Sequence, residues 1–437
     1  MAAEETARPR LTPAQIAAVA SGNALEFYDF VTYSFFAVQI GRTLFPGDAS
    51  QSLILSLATF GVGFVSRPLG GLIIGRMADR RGRKPTMILS FTLMGIGVAG
   101  LALTPSYNTI GVSASVLAVL FRLIQGFGLG GEVGPNAAFL LEAAPPRRKS
   151  LYLSIHLATA DAAVLVAGIV GFSLSSLMSA PTLDAWGWRI AFLIGVSIVP
   201  FGLRLRRTLT ETLPEDAREP PPPGSLRPLL IVAGAGMLIL GAGTISNYTL
   251  DYLTTYAQDT LHMPVRSAFG ATIVLGLVSA ACDLATGWLV DRYGAKRVLV
   301  GPWLALMLFA VPTFYALNAT RTSTALLGAT GLLTLLHIFG SSAAILLFMQ
   351  ALPARVRAGA LSLTYALAIA IFGGTTQLVE KLLIRWTANP VAPGWYMVVA
   401  VAAGLVGALI IRQPTGAHRG LREGAAVRLP AKDVDAA

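Results

Sequence analysis

The stretch Gly75-Arg-Met-Ala-Asp79-Arg-Arg-Gly82-Arg-Lys decides the fold of this 437-residue chain, because it recurs almost half a chain later. The second copy reads Gly287-Trp-Leu-Val-Asp291-Arg-Tyr-Gly294-Ala-Lys and keeps glycine, aspartate, arginine and glycine at the same spacing. A repeat at this distance indicates a duplicated unit. Each copy lies between two apolar runs, so we expect each to form a tight basic turn between two membrane helices. A loop that needed only positive charge would not keep the same residue order twice.

The composition is that of an all-α membrane protein. Hydrophobic residues make up 54% of the chain and charged residues only 13%, whereas a soluble domain carries about 25% charged residues. The mean hydropathy is +0.66. The one cysteine, Cys282, excludes an intramolecular disulfide and disfavours a metal site built from thiols. The polar residues 1–10 lack the layout of a cleaved signal peptide.

Twelve apolar stretches are long enough to cross a bilayer, which takes about 20 residues. The predicted spans, helices 1 to 12, are residues 13–40, 53–76, 86–104, 111–142, 150–178, 187–206, 228–256, 267–290, 297–316, 323–351, 358–384 and 395–412. A charged, proline-rich segment separates the sixth span from the seventh. We therefore predict an N-terminal six-helix half at 1–206, a cytoplasmic linker at 207–227, a C-terminal six-helix half at 228–412 and a cytoplasmic tail at 413–437. Two such halves are expected to enclose a central cavity.

Lysine and arginine are concentrated in alternate loops, which predicts the orientation. The loops that follow the odd-numbered helices hold only five arginines: Arg42, Arg189, Arg266, Arg321 and Arg385. Both termini are therefore expected in the cytoplasm. The net charge of +11 then reflects topology and contact with anionic membrane lipid. We expect no nucleic-acid partner, because the basic residues are divided among loops that membrane spans separate.

Ionisable residues at membrane depth are the candidates for function, because burying charge there is costly. In helix 1, Glu26, Asp29 and Tyr33 share one helix face. Partly buried carboxylates are candidates for proton binding, so Asp29 and Glu26 are predicted to take up a proton. The alternative for Glu26 is a position near the cytoplasmic rim, where it would simply be solvated.

Two arginines lie deep in the predicted spans. Arg67 of helix 2 is too far from the loop to reach water easily, so it should face a cavity or a carboxylate. Arg122 of helix 4 falls near one face with Gln125 and Glu132. Arginine matches carboxylates with two parallel donors, which favours substrate binding by both arginines. The alternative for each arginine is a purely structural ion pair.

Other polar residues in the spans complete the predicted site. His156 in helix 5 titrates near neutral pH, and Tyr248 and Tyr252 recur on one face of helix 7 with Tyr256. Packing is the alternative for each of them. We predict that substrate contacts Arg67, Arg122, Tyr33, Gln125, His156, Tyr248 and Tyr252, and that Asp29, Glu26, Arg122 and Glu132 couple protons. The residues Asp161, Asp283, His337 and Lys381 receive no assigned role, and Glu380 with Lys381 is interpreted as solvated near the outer membrane face.

The two repeated loops resemble the signature loops of the major facilitator superfamily, between helices 2 and 3 and between helices 8 and 9. The second copy departs from the pattern at Ala295, where the first has Arg83. The resemblance implies that these loops hold the two halves together on the cytoplasmic side during gating. The predicted gating residues are Gly75, Asp79, Arg80, Gly82, Arg83, Glu142, Asp291 and Arg292.

Within that superfamily the chain resembles the metabolite:proton symporter branch, whose members carry citrate, tricarballylate, 2-oxoglutarate, shikimate or proline/betaine. The matching segments are residues 22–33, Arg67-Pro-Leu-Gly70, Arg122-x-x-Gln125-Gly and Gly131-Glu132, and residues 370–374 and 392–395 look most like the citrate and tricarballylate members. The resemblance implies that Asp29 and Arg122 form the proton-linked pair. His156 and Asp161 depart from the neutral amides that citrate carriers have in helix 5.

The sequence thus predicts a symporter that imports a small organic anion with protons by alternating access, with a di- or tricarboxylate such as citrate as substrate. We expect a functional monomer in the bacterial cytoplasmic membrane, with no cofactor, no bound metal and no enzymatic activity. No phosphate-binding Gly-x-x-x-x-Gly-Lys-Ser/Thr loop is present, which disfavours transport driven by ATP. The alternatives are a symporter of another small metabolite (2-oxoglutarate, shikimate or a proline/betaine-like solute), a drug/proton antiporter, and a sensor that no longer transports.

Overall fold

The computed structural model describes residues 23–24, 27–81, 83–130, 149–207, 226–352 and 357–411, and these are almost entirely helical. We number the long helices by the predicted spans. They are α1 (27–44, with a turn at Phe36), α2 (Ala49–Val65 and Arg67–Arg81), α3 (Arg83–Leu103), α4 (Val112–Gly130), α5 (Lys149–Leu177), α6 (Trp188–Arg207), α7 (Leu226–Asp259), α8 (Val265–Tyr293), α9 (Ala295–Thr320), α10 (Ser323–Ala351), α11 (Arg357–Ala368 and Gly374–Thr387) and α12 (Ala392–Ile410). A π-helix, Ile369–Gly373, joins the two parts of α11, and short helical turns lie at Tyr107–Ile110 and Ala180–Gly187.

Eleven helices in the described part of the chain, α2 to α12, are long and apolar enough to cross a membrane. Large apolar side chains on their outer faces are exposed, as is expected where lipid is the solvent: Leu103 is 71% exposed and Leu177 is 84% exposed. Residues 13–22, 25 and 26 of the first predicted span lie outside the described residues. Its described part continues to Leu44, beyond the predicted end at residue 40.

Local sequence explains where several helices begin and break. The Asp48 carboxylate accepts a hydrogen bond of 2.8 Å from the backbone N–H of Gln51 and so caps the start of α2. The break in α2 at Ser66 precedes Pro68, whose ring and missing N–H interrupt the helical hydrogen-bond ladder. There the Ser66 hydroxyl donates instead to the backbone carbonyl of Leu123 in α4, at 2.9 Å.

The second copy of the repeated loop is described in full. Gly294 separates α8 from α9 with a φ of 87°, which only glycine adopts without strain. The adjacent Ala295 is completely buried, so this position has no room for the arginine that the first copy carries. Asp291 and Arg292 are exposed at the end of α8. In the first copy and its partner segment, Gly82 and Glu142 lie outside the described residues, and so do the side chains of Asp79, Arg80 and Arg83.

The two predicted halves, α1 to α6 and α7 to α12, contact each other along two helix pairs. Helices α5 and α8 are packed so closely that a Cβ atom added at Gly276 would overlap the backbone nitrogen of Leu165. In the other pair, a Cβ atom at Gly61 of α2 would overlap the carbonyl oxygen of Gly374 in α11. Small residues allow such close approach between membrane helices.

Polar contacts also join the halves at one end of the bundle. We call it the outer end, following the predicted orientation; it holds the loops after the odd-numbered helices. The Gln39 amide donates to the Gln258 side chain at 2.8 Å. The Gln377 amide donates to the Ser34 hydroxyl at 2.6 Å, and the Thr255 hydroxyl donates to the Ser34 carbonyl. The outer end is therefore closed. The predicted division at 207–227 stays a prediction, because residues 208–225 lie outside the described part.

The packing of α5 on α8 predicts the effect of a single methyl group. Gly276→Ala should force the two helices apart and destabilise the protein by about 1–3 kcal/mol, the usual cost of overpacking. The matched control is Gly328→Ala in α10, where an added Cβ would contact nothing within 4 Å. Thermal unfolding of the purified protein in detergent measures both. Equal unfolding temperatures for the two variants would contradict the close contact.

Candidate functional site

A cavity of about 200 Å³ lies between the two halves. Helices α1, α2, α4 and α5 form one side of it, and α7, α8, α10 and α11 form the other. The polar side chains that line it are Asn23, Arg67, Asp161, Thr244, Asn247, Tyr248, Asp251, Ser279, Asp283, His337, Ser341, Ser342 and Tyr365. The remaining lining is apolar. A cavity in which polar groups converge among apolar side chains is the usual form of a small-molecule site.

Arg67 is one of the predicted substrate-binding residues that line this cavity. Its guanidinium lies 4.5 Å from the ring centroid of Phe30 and 4.3 Å from that of Phe64. Tyr248 of α7 packs edge-on against the same two rings, with centroids 6.2 Å and 5.5 Å away. Cation–π contacts of this kind stabilise a charged arginine away from water. The structure thus places Arg67 and Tyr248 together at the cavity wall.

Arg122 lies behind that wall and does not line the cavity. Its side chain is 1% exposed. One guanidinium nitrogen donates to the Gln125 side chain at 2.5 Å, and the other donates to the Phe60 carbonyl at 3.4 Å. The guanidinium also lies 4.5 Å from the Tyr33 ring centroid. Its Nε has no hydrogen-bond partner among the described residues. Arg122 is therefore held in a polar pocket inside the N-terminal half, with its Nε donor unused.

Asp29 is buried beside Arg122 without touching it. The carboxylate is 3% exposed, and its Oδ1 has no hydrogen-bond partner in the described part of the chain. It faces α6, where a Cβ atom added at Gly195 would overlap Oδ1. Asp29 is close enough to Arg122 for their charges to interact, but no ion pair between them occurs among the described residues. The two predicted partners are thus neighbours that do not contact each other.

The cavity lining contains more acidic residues than the sequence analysis anticipated. Asp161 and Asp283 lie within hydrogen-bond reach of each other, and both line the cavity with Asp251 and His337. Sequence reasoning left three of these residues without a role and did not single out Asp251. The position of Asp251, three residues after Tyr248 and so on the same helix face, could have identified it.

The other predicted site residues lie elsewhere. The Tyr33 hydroxyl donates to the Ser56 carbonyl at 3.2 Å, Gln125 is bonded to Arg122, and Tyr252 is 1% exposed within the C-terminal half. None of these three lines the cavity. The side chain of His156 is not among those described, and Glu26 and Glu132 lie outside the described residues. Their roles stay predictions.

Glu380 and Lys381 are buried, so their interpretation as solvated residues is wrong. Glu380 is fully buried and accepts a hydrogen bond of 2.5 Å from the Thr249 hydroxyl. The Lys381 ammonium lies 2.5 Å from Asp259 Oδ2. Both contacts join α11 to α7. The sequence places these residues near the end of a helix but does not reveal that their face is turned toward a neighbouring helix rather than toward water.

The buried pair predicts a measurable loss of stability. Lys381→Met should destabilise the protein by about 3–5 kcal/mol, because it leaves the Asp259 carboxylate buried without a cation. The double variant Lys381→Met, Asp259→Asn should recover most of that loss. The matched control is Arg42→Met, which breaks the exposed pair with Asp184 at a cost of about 0–1 kcal/mol. Chemical unfolding in detergent gives the four values; a similar loss at both pairs would contradict the burial of Lys381.

Comparisons with known proteins agree with this geometry. Residues 19–375 match the family model described as Major Facilitator Superfamily. The chain is 34% identical over 396 residues to the citrate-proton symporter of Salmonella typhi, covering 89% of this chain and 91% of that protein. It is also 34% identical to the alpha-ketoglutarate permease of Escherichia coli K12, covering 92% and 94%. The crystal structure of a D-xylose-proton symporter matches with a TM-score of 0.73 at 19% identity, covering 93% and 99%, which is a likeness of fold.

Proposed function

Because this chain belongs to the major facilitator superfamily, we propose that it is a proton-coupled symporter that imports a small organic anion by alternating access. It is a multi-pass membrane transporter and not an enzyme. The predicted resemblance is thereby confirmed, and relatives that carry citrate or alpha-ketoglutarate make a di- or tricarboxylate the first substrate to test. The observation that carries the proposal is the cavity between the halves, with the Arg67 guanidinium at its wall.

Substrate binding in this proposal begins at Arg67 and Tyr248. The guanidinium of Arg67 pairs with a substrate carboxylate through two parallel hydrogen bonds, and the rings of Phe30 and Phe64 keep it oriented. Arg122, with Gln125 and Tyr33, forms a second layer behind those rings. A substrate carboxylate reaches that layer only when the aromatic side chains move. Arg122 therefore acts mainly through its positive field in the closed arrangement, and by direct contact once the rings have moved.

Proton coupling follows from the position of Asp29. The positive field of Arg122 favours the ionised form of Asp29. A substrate anion bound near Arg122 offsets this field, so Asp29 then binds a proton more readily. Anion and proton thus bind cooperatively, and by linkage each raises the affinity for the other. Glu26 and Glu132 are the further carboxylates that we assign to proton coupling, and His156 is a further substrate contact.

The setting of the transporter is the bacterial cytoplasmic membrane, with both termini in the cytoplasm. The exposed apolar faces of the helices contact lipid, and a monomer is the functional unit. To the cytoplasmic side we assign a latch between the halves, formed by Asp79, Arg80 and Arg83 of the first loop together with Glu142, and by Asp291 and Arg292 of the second loop. These charged contacts hold the inner ends of the halves together while the outer end is open.

One observation favours a second candidate substrate, a small zwitterion of the proline/betaine kind. Asp161, Asp251 and Asp283 line the same cavity as Arg67. A zwitterion would place its carboxylate at Arg67 and its cationic end among these acids and the Tyr248 ring. A tricarboxylate, by contrast, would meet repulsion from any of the three that is ionised.

Uptake into proteoliposomes tests the proposal and separates the two candidates. With an imposed inward proton gradient, we expect accumulation of one labelled solute from a panel of citrate, 2-oxoglutarate, shikimate and the zwitterion glycine betaine. A protonophore should abolish that accumulation. Arg67→Lys keeps the charge but loses the paired donors, so substrate binding should weaken by about 1–3 kcal/mol. Accumulation that survives the protonophore and requires sodium would refute proton coupling.

Asp29→Asn tests the coupling step. The amide imitates the protonated carboxyl, so the variant should still exchange substrate across the membrane in counterflow. It should no longer accumulate substrate against a gradient, and its steady-state level should fall to equilibrium. Asp184→Asn, at an exposed outer pair with Arg42, is the control that should accumulate normally. Full accumulation by Asp29→Asn would place the coupling proton elsewhere.

A further inference from the structure

The carboxyl groups of Asp161 and Asp283 meet across the boundary between the two halves. Asp161 belongs to α5 and Asp283 to α8, and the two lie within hydrogen-bond reach at the cavity wall. An ionised carboxylate only accepts hydrogen bonds, so two carboxylates cannot bond to each other unless one carries a proton. Two adjacent negative charges also repel strongly at membrane depth. The observed contact therefore requires one shared proton.

No cation neutralises this pair within the part of the chain that the structure describes. The Ser342 hydroxyl of α10 donates to Asp283 Oδ1 at 2.5 Å, which leaves the other Asp283 oxygen for Asp161. The charges of Asp251 in α7 and of Cys282 in α8 interact with the pair. The other titratable and charged groups that line the same cavity are Arg67, Tyr248, His337 and Tyr365. Sharing one proton is thus what allows the two carboxyl groups to stay in contact.

His337 is a second, independent sign of a mobile ligand at this place. The side chain is 1% exposed and lines the same cavity. Its Nδ1 has no hydrogen-bond partner among the described residues. Leaving such a polar atom unpaired in the interior is costly. A proton-carrying group or water in the cavity would satisfy it.

The packing of α5 on α8 makes the contact between the carboxyl groups depend on the arrangement of the halves. The two helices run antiparallel, and their close contacts pair Gly171 with Phe269, Gly168 with Thr272, and Leu165 with Gly276. Asp161 lies about one turn further inward than Leu165, and Asp283 lies about two turns further inward than Gly276. The pair thus lies at the inner end of the closed contact, where the helices begin to line the cavity. A separation of α5 from α8 at the outer end would pull the two carboxyl groups apart.

We propose that Asp161 and Asp283 form a proton-operated gate: one shared proton holds the two halves together at the outer end, and its loss drives them apart. Protons from outside would bind while the outer end is open and favour its closure. Release of the proton into the cavity leaves two repelling carboxylates, which reopen the outer end. This inference rests on the proposed symport for its place in a cycle, and it adds a proton site that is separate from Asp29.

Distances between spin labels across the outer end test the gate without any substrate. Labels are attached at Ala185→Cys and Ala319→Cys, two exposed outer positions in opposite halves, in a Cys282→Ser background. As pH rises through roughly 5 to 8 in reconstituted protein, the long-distance population should grow. A gate that exchanges one proton changes the equilibrium constant by up to about tenfold per pH unit.

The isosteric variants Asp161→Asn and Asp283→Asn separate a gate from a structural contact. In each variant an amide replaces the protonated carboxyl and donates to the remaining carboxylate, so the outer end should stay closed with less than about a twofold change across the same pH range. Asp48→Asn, at an exposed carboxylate outside the cavity, is the matched control and should keep the response of the parent. A parent distance that does not depend on pH, or variants that respond like the parent, would overturn the proposal.

The design also distinguishes failure of this inference from failure of the proposed function. If no member of the substrate panel is transported but the distances respond to pH as described, the gate stands and the symport assignment falls. If the panel is transported normally and the distances do not respond, the gate falls alone.

Discussion

Backbone-to-backbone packing of α5 against α8 is the contact on which the rest of the arrangement depends. Within a membrane, helices gain little from burying apolar surface against each other, so close approach and internal polar contacts must hold them together. Glycines at 168, 171 and 276 allow that approach between two helices of opposite halves. The same contact closes the outer end, leaves room for a cavity further inward and brings Asp161 to Asp283. A bulkier residue at any of the three positions would disturb all of these features at once.

The site is built in layers that differ in polarity. Nearest the cavity, Arg67 rests on phenylalanine rings, and behind those rings Arg122 is bonded to Gln125 and the Phe60 carbonyl. Asp29 lies beside Arg122 with one oxygen unpaired. Because screening is weak in such an interior, charges that do not touch still influence one another. Anion binding and proton binding thereby influence each other through the electrostatic field of Arg122, and no chain of direct contacts is needed.

The sequence was sufficient for the fold, because a membrane imposes span length, loop charge and helical structure on every segment. The repeated loop identified the duplication, and the burial of Ala295 explains why the second copy lacks the arginine that the first copy has at Arg83. Depth within its span selected Arg67, and helical spacing selected Tyr248. The position of a residue along a helix, however, does not show which neighbouring helix its side chain faces. For this reason the sequence predicts solvated side chains at Glu380 and Lys381, which the structure shows to be buried. The pairing of Asp161 with Asp283 joins helices far apart in the chain, and no local pattern predicts it.

The π-helix in α11 decides which side of the protein this helix presents to its neighbours. A π turn holds one residue more than an α turn, and one residue corresponds to about 100° of rotation around a helix axis. Gln377, Glu380 and Lys381 lie beyond the π-helix and all point toward α1 or α7. An uninterrupted helix with one residue fewer would turn that polar stripe sideways, into hydrocarbon. A single inserted residue thus separates a stripe that stabilises the bundle from one that would be expelled from the membrane.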